Sequence, residues 1–179
     1  SGVGALLQAR GIGTYNPPAV ETESSVPQFI DDTIAYVALF GLTGVIAGAS
    51  RQMSFLLAGL SAGSRVVIEI GSFRESLVGI ALLLSLSSYA IRIYLLWWPV
   101  WRTAKQQNDR RKLLFRKSRN TLMFLIGVSI LVGIIGASGL LTNFVQQFIL
   151  VYIDFFIRIG FVGFLVSNIS ALWEDEGTT

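Results

Sequence analysis

The sequence has no cysteine and no histidine. Without cysteine, disulfides, iron–sulfur clusters and thiolate zinc sites are excluded. Without histidine, the commonest metal ligand, the usual axial ligand of b-type haem and the usual imidazole ligand of chlorophyll are gone. Pigment binding then falls to Asn, Gln, carboxylates, backbone carbonyls or water. Charge is also scarce. Only 14% of the 179 residues are Asp, Glu, Lys or Arg, against roughly 25% in a soluble domain. No repeat of fixed period is visible, and no apolar signal segment stands at the start. A chain that begins at Ser1 rather than Met is expected to have been processed, with any targeting peptide removed.

Apolar side chains make up 53% of the sequence. Four runs approach the ~20 residues that a helix needs to cross a bilayer. They cover residues 34–50, 76–100, 121–141 and 148–173. The expected fold is all-α: a polytopic membrane protein of about four transmembrane helices, with a short interfacial segment and an extended N-terminal arm. Residues 1–30 form the arm, where Gly2, Gly4, Gly11, Gly13 and Asn16-Pro17-Pro18 oppose helix. Residues 31–173 form the transmembrane domain, and 174–179 an acidic tail.

The apolar piece Met53–Gly63 is ~11 residues long, too short to cross, and reads as interfacial. Arg65, Glu69, Arg74 and Glu75 then mark a water-exposed connector. Trp97, Trp98 and Trp101 place the end of the second run at the headgroups, as Trp173 does for the fourth. Thr142–Gln147 is a short turn, so the last two runs form an antiparallel hairpin.

Eight of the fourteen basic residues lie in one connector: Arg102, Lys105, Arg110, Arg111, Lys112, Arg116, Lys117 and Arg119. Such a segment beside membrane spans faces the cytoplasm, stroma or matrix. With four crossings, both termini share that side. The connector's contacts are expected to be anionic lipid at the headgroups or an acidic partner surface; nucleic acid is not expected.

Three ionisable residues fall inside runs, where an ionised side chain costs about 2.5–3.5 kcal/mol or more. Arg92 lies ~8 Å inside the tryptophan belt at 1.5 Å per residue, within reach of snorkelling. Asp154 and Arg158 are four apart on one helical face, and Gln147 lies two turns before Asp154 on the same face. This stripe reads as a self-neutralised pair packed against partner helices. A proton or ion pathway and a partner subunit's charge are the alternatives. Gly41, Gly44 and Gly48, Gly133 and Gly136, and Gly160 and Gly163 provide small faces for close helix packing.

Nothing in the sequence forms a catalytic set. Ser85, Ser87 and Ser88 have no His or Lys nearby to act as a base. No enzyme activity, metal site or required cofactor is expected; bound lipids are, and pigments remain open. The resulting reading is a non-catalytic accessory or assembly subunit of a larger membrane complex, in a thylakoid, mitochondrial inner or bacterial plasma membrane, with other membrane subunits as partners. A small oligomeric transporter or channel, or a protein-import or insertion component, is the alternative. Neutralising Arg110, Arg111, Lys112, Arg116 and Lys117 together should scramble orientation or weaken retention of anionic lipid. Reporter fusions on either side of the connector and lipid analysis of the purified protein check this.

Overall fold

The computed structural model describes residues 13–15, 24–138 and 140–168. Most of the N-terminal arm and the whole acidic tail lie outside the described residues. Two short strands, β1 (Thr14–Tyr15) and β2 (Ser24–Ser25), pair antiparallel with Thr14 opposite Ser25. Then come α1 (Val26–Ile46), α2 (Arg51–Ser72), α3 (Glu75–Trp97), α4 (Pro99–Ala104), α5 (Asp109–Ala137) and α6 (Asn143–Phe155). A π-helical turn (Phe156–Gly160) joins α6 to α7 (Phe161–Ser167).

Five segments are long and apolar enough to cross a membrane: Phe29–Ile46, Arg51–Ser72, Ser76–Ala104, Asp109–Gly136 and Phe144–Ser167. The membrane all-α class therefore stands, with about four helices corrected to five. The extra span is α2, which absorbs both the expected interfacial piece and much of the expected connector. Its sequence misled because its polarity points inward. Ser54, Leu57, Ala58, Ser61 and Ser64 are buried, at the three- and four-residue spacing of one helical face. Phe55, Leu56, Val66, Ile68 and Ile70 are exposed, as suits a helix surrounded by lipid. Ser50 caps its start by accepting from the Met53 N–H.

The described chain divides into two compact units: Ser1–Val45 with Ala49–Trp101, and Ile46–Gly48 with Arg102–Thr179. In the first, α1, α2 and α3 bury Phe40, Leu57 and Leu96. Arg65 of α2 pairs with Asp32 of α1 at 2.6 Å, so it belongs to the packed interior rather than to a water-exposed connector. In the second, Leu114, Phe115, Leu122, Ile157 and Phe161 are buried. Asn108 caps α5 by accepting from the Arg111 N–H at 2.7 Å. Helix α5 ends at Ala137 and α6 begins at Asn143, capped by Thr142, so the expected turn at 142–147 lies earlier in the chain and Gln147 belongs to the helix.

The glycines separate by function. A Cβ on Gly44 would sit 2.6 Å from Ser54 Oγ and 3.1 Å from Ser54 Cα, so α1 and α2 touch there as expected of a small-residue face. A Cβ on Gly41 would meet only Ala58 at 3.8 Å. Gly48 is outside the packing face. Its φ is +70°, and the Ala49 N–H donates to the Gly44 carbonyl at 3.0 Å, which together form the left-handed close of α1. Gly136 accommodates the Gln146 side chain, while Gly133, Gly160 and Gly163 have nothing against them among the described residues.

Gly44→Ala should lower stability by about 1–3 kcal/mol through overpacking, whereas Gly41→Ala should be neutral or slightly stabilising. Thermal unfolding of the two variants in the same detergent distinguishes them. Equal midpoints would sink the account of the α1–α2 contact.

Candidate functional site

The last span carries the charge pair that the sequence singles out. Arg158 Nε lies 2.8 Å from Asp154 Oδ2, and the arginine side chain is only 12% exposed. The Nε is not aligned for a hydrogen bond, so the contact is ionic. Ile153, Ile157 and Phe161 form a buried row alongside, and Phe144, Phe148 and Tyr152 stack on the exposed face with centroid separations of 6.2 and 4.7 Å. Arg158 lies fourteen residues after Phe144, hence ~21 Å along the axis at 1.5 Å per residue, beyond a snorkelling reach from that end. Gln147 is on the same helix; its side chain lies outside the described residues.

The arginine sits within the π-helical turn Phe156–Gly160. Single π turns inside α-helices insert an extra residue and recur at functional sites. Arginine keeps its proton at any physiological pH. The pair is thus suited to holding charge inside the span, not to passing a proton along it.

A second inward polar layer lies in the first unit. Besides the Asp32–Arg65 pair, Arg92 is 5% exposed. Its Nε donates to the Ser88 carbonyl at 3.3 Å and its Nη2 to Ser64 Oγ at 3.4 Å. The guanidinium carbon lies 4.7 Å from the centroid of the Phe40 ring. Arg92 therefore turns inward instead of snorkelling. Burial against α2 holds it there, because Ser88 Oγ also donates across to the Leu60 carbonyl at 3.0 Å. Asp32, Arg65 and Ser64 were missed as site residues. The seven- and three-residue spacing of Ser54, Ser61 and Ser64 on α2, which places them on one helical face, was the legible signal.

The basic connector does not form one surface. Arg102, Lys105, Arg110, Arg116 and Lys117 are exposed, while Arg111 and Lys112 are half-buried. Arg111 Nε donates to the Ile46 carbonyl at 2.9 Å, and Lys112 pairs with Asp109 in the first turn of α5. Arg119 is buried at 4% exposure, beside the Phe115 ring and donating to Asn120 Oδ1. Among the described residues no group of His, Cys, Asp and Glu could hold a metal.

The sequence matches no protein-family model. It is 26% identical over 186 residues to sensory rhodopsin-2 of Natronomonas pharaonis, covering 98% of this chain and 75% of that protein. Cyanorhodopsin from Calothrix sp. NIES-2098 superposes with a TM-score of 0.85 at 22% identity, over 95% of this chain and 76% of that one. A thermophilic rhodopsin from Rubrobacter xylanophilus gives 0.81 at 20% identity, over 95% and 77%. The fold is therefore that of the rhodopsins, an integral membrane helical fold.

These likenesses run against two expectations. The accessory-subunit reading fails, because the similar proteins are rhodopsins, pumps or sensors in their own right. The expectation that no cofactor is required conflicts with them too, since rhodopsins of this kind hold retinal covalently through a lysine. The thylakoid or mitochondrial placement finds no support in them.

If Asp154 and Arg158 neutralise one another, either alone is an uncompensated charge in a low dielectric. Asp154→Leu and Arg158→Met should each lower stability by up to about 3 kcal/mol, and the double variant by less than the worse single. Unfolding midpoints and yields of the three variants check this. A double variant less stable than both singles would show that the two residues have separate partners.

Proposed function

We propose that this chain is a rhodopsin-like membrane protein of sensory rather than transporting type, which neither pumps protons nor carries retinal on a lysine. The observation that carries the reading is where the amines lie. Its lysines are Lys105, Lys112 and Lys117. Lys105 and Lys117 are exposed, and Lys112 is half-buried against Asp109. All three belong to the basic connector, and the buried cations of the spans, Arg92, Arg119 and Arg158, are arginines. An imine needs a primary amine that can lose its proton, which a guanidinium does not supply. The residues of this chain therefore do not fit covalently bound retinal.

The interior charges support the second half of the reading. Asp32 and Asp154 are each held against an arginine at 2.6 and 2.8 Å, and the chain has no histidine. A proton relay needs a group free to take up and release a proton, and both of these carboxylates are tied to a guanidinium. Fixed internal ion pairs suit a protein that changes helix packing, with sensory rhodopsin-2 as a functional analogy. Other membrane proteins and anionic lipids are the partners this reading implies.

The span count also revises orientation. Three crossings precede the basic connector and two follow it. With the connector on the cytoplasm-like side, the C-terminus shares that side and the N-terminal arm lies opposite.

Reconstitution with all-trans retinal tests the reading. No visible absorption band, no adduct trapped by borohydride and no light-driven pH change in vesicles are expected. A visible band bleached by hydroxylamine, or light-driven proton movement, would overturn it.

A further inference from the structure

Arg92 lies among apolar side chains and hydroxyls. It is 5% exposed, and no carboxylate lies within ion-pair distance of it among the described residues. Its polar contacts are the Ser88 carbonyl and the Ser64 hydroxyl. Those use two of five guanidinium N–H groups. Two rings approach it, Phe40 at 4.7 Å and Tyr89 at 6.0 Å. Ring faces attract a cation but do not cancel its charge.

A buried group with an unmatched charge ordinarily responds by becoming neutral. Arginine cannot take that route, so a counter-anion is the remaining one. The adjoining face of α2 supplies a donor. Ser61 is 1% exposed, and its Oγ has no hydrogen-bond partner among the described residues. It lies one turn from Ser64, which accepts from Arg92 and donates to the Ser61 carbonyl at 2.9 Å. Ser64 has thus committed its proton and positions the guanidinium, whereas the Ser61 proton is uncommitted.

We propose that Arg92 and Ser61 bind a small monovalent anion of the halide class inside the first unit, with Ser64 as a positioning residue. Charge and size select the ligand. One guanidinium balances one negative charge, and a divalent oxyanion would replace an excess positive charge with an excess negative one. The Phe40 ring, 4.7 Å from the guanidinium carbon, covers one side of the cation, which favours a compact ion. The inference is independent of the reading of function above, since it involves neither the lysines nor the Asp154–Arg158 pair.

The test uses the full chain in lipid nanodiscs prepared in sodium gluconate. Chloride or bromide is then titrated at constant ionic strength while the thermal unfolding midpoint is followed. A ligand that binds only the folded state raises the midpoint saturably. The expected result is a saturable rise with either halide. Arg92→Met should abolish it, and Ser61→Ala, which leaves the cation in place, should raise the half-saturating concentration at least fivefold. If Arg92→Met does not fold, Ser61→Ala decides. No halide-specific rise in the parent protein, or a Ser61→Ala response equal to the parent's, would overturn the proposal. So would cross-linking that places a carboxylate of another chain at Arg92, since that group would then be the counter-ion.

Discussion

A charge carried into a bilayer must find its compensation within the protein. Lipid offers neither hydrogen bonds nor a high dielectric, and an isolated ionised side chain at the centre costs about 2.5–3.5 kcal/mol even on the most lenient scale. That constraint orders much of what the structure shows. Asp32 meets Arg65 between α1 and α2, Asp154 meets Arg158 within the last span, and Arg92 is turned onto the serine face of α2. The exposed faces of the same helices carry Phe55, Leu83, Phe144 and Val151. The charged groups of these spans turn inward into a core that is otherwise apolar, and hydrocarbon covers the outside. That arrangement makes the interior the place where function has to be sought.

The arginines give that interior its character. Lysine and histidine can gain or lose a proton when their surroundings change, whereas a guanidinium stays charged. An interior stocked with arginine is a set of permanent charges whose positions, not protonation states, are adjustable. This is why a rhodopsin fold leads here to a sensory reading. The fold supplies the helix arrangement, but chemistry belongs to the site, and this site lacks the amine on which retinal chemistry depends.

Membrane class and the existence of the interior pair were legible in the sequence. Long apolar runs and a four-residue spacing between opposite charges depend only on local chemistry. The fifth span was not. Arg65, Glu69 and three inward serines dilute the apolarity of α2, and a reading by composition cannot tell a polar residue facing water from one facing a neighbouring helix. Arg92 was misplaced for a related reason. Its distance from Trp97 permits snorkelling, and only the position of α2 shows that an inward partner is nearer. Gly48 was grouped with Gly44 by spacing alone, although the helix closes between them and the two glycines serve different ends. The rhodopsin likeness was not recognised either, because no short motif announces it and the identity to its relatives is low.

The π-helical turn at Phe156–Gly160 gives the last span one length but two phases. A five-residue turn in a helix of 3.6 residues per turn delays the helix by about one residue, so α7 presents faces rotated by roughly 100° from those that α6 would have projected. The charged pair sits at that seam. Gly163, which a single uninterrupted helix would place roughly opposite the stripe of α6 at about 100° per residue, is swung round by the extra residue, and among the described residues nothing lies against it or against Gly160. The span behaves as two half-helices sharing an axis, and Arg158 marks the point at which the chain changes which neighbour it addresses.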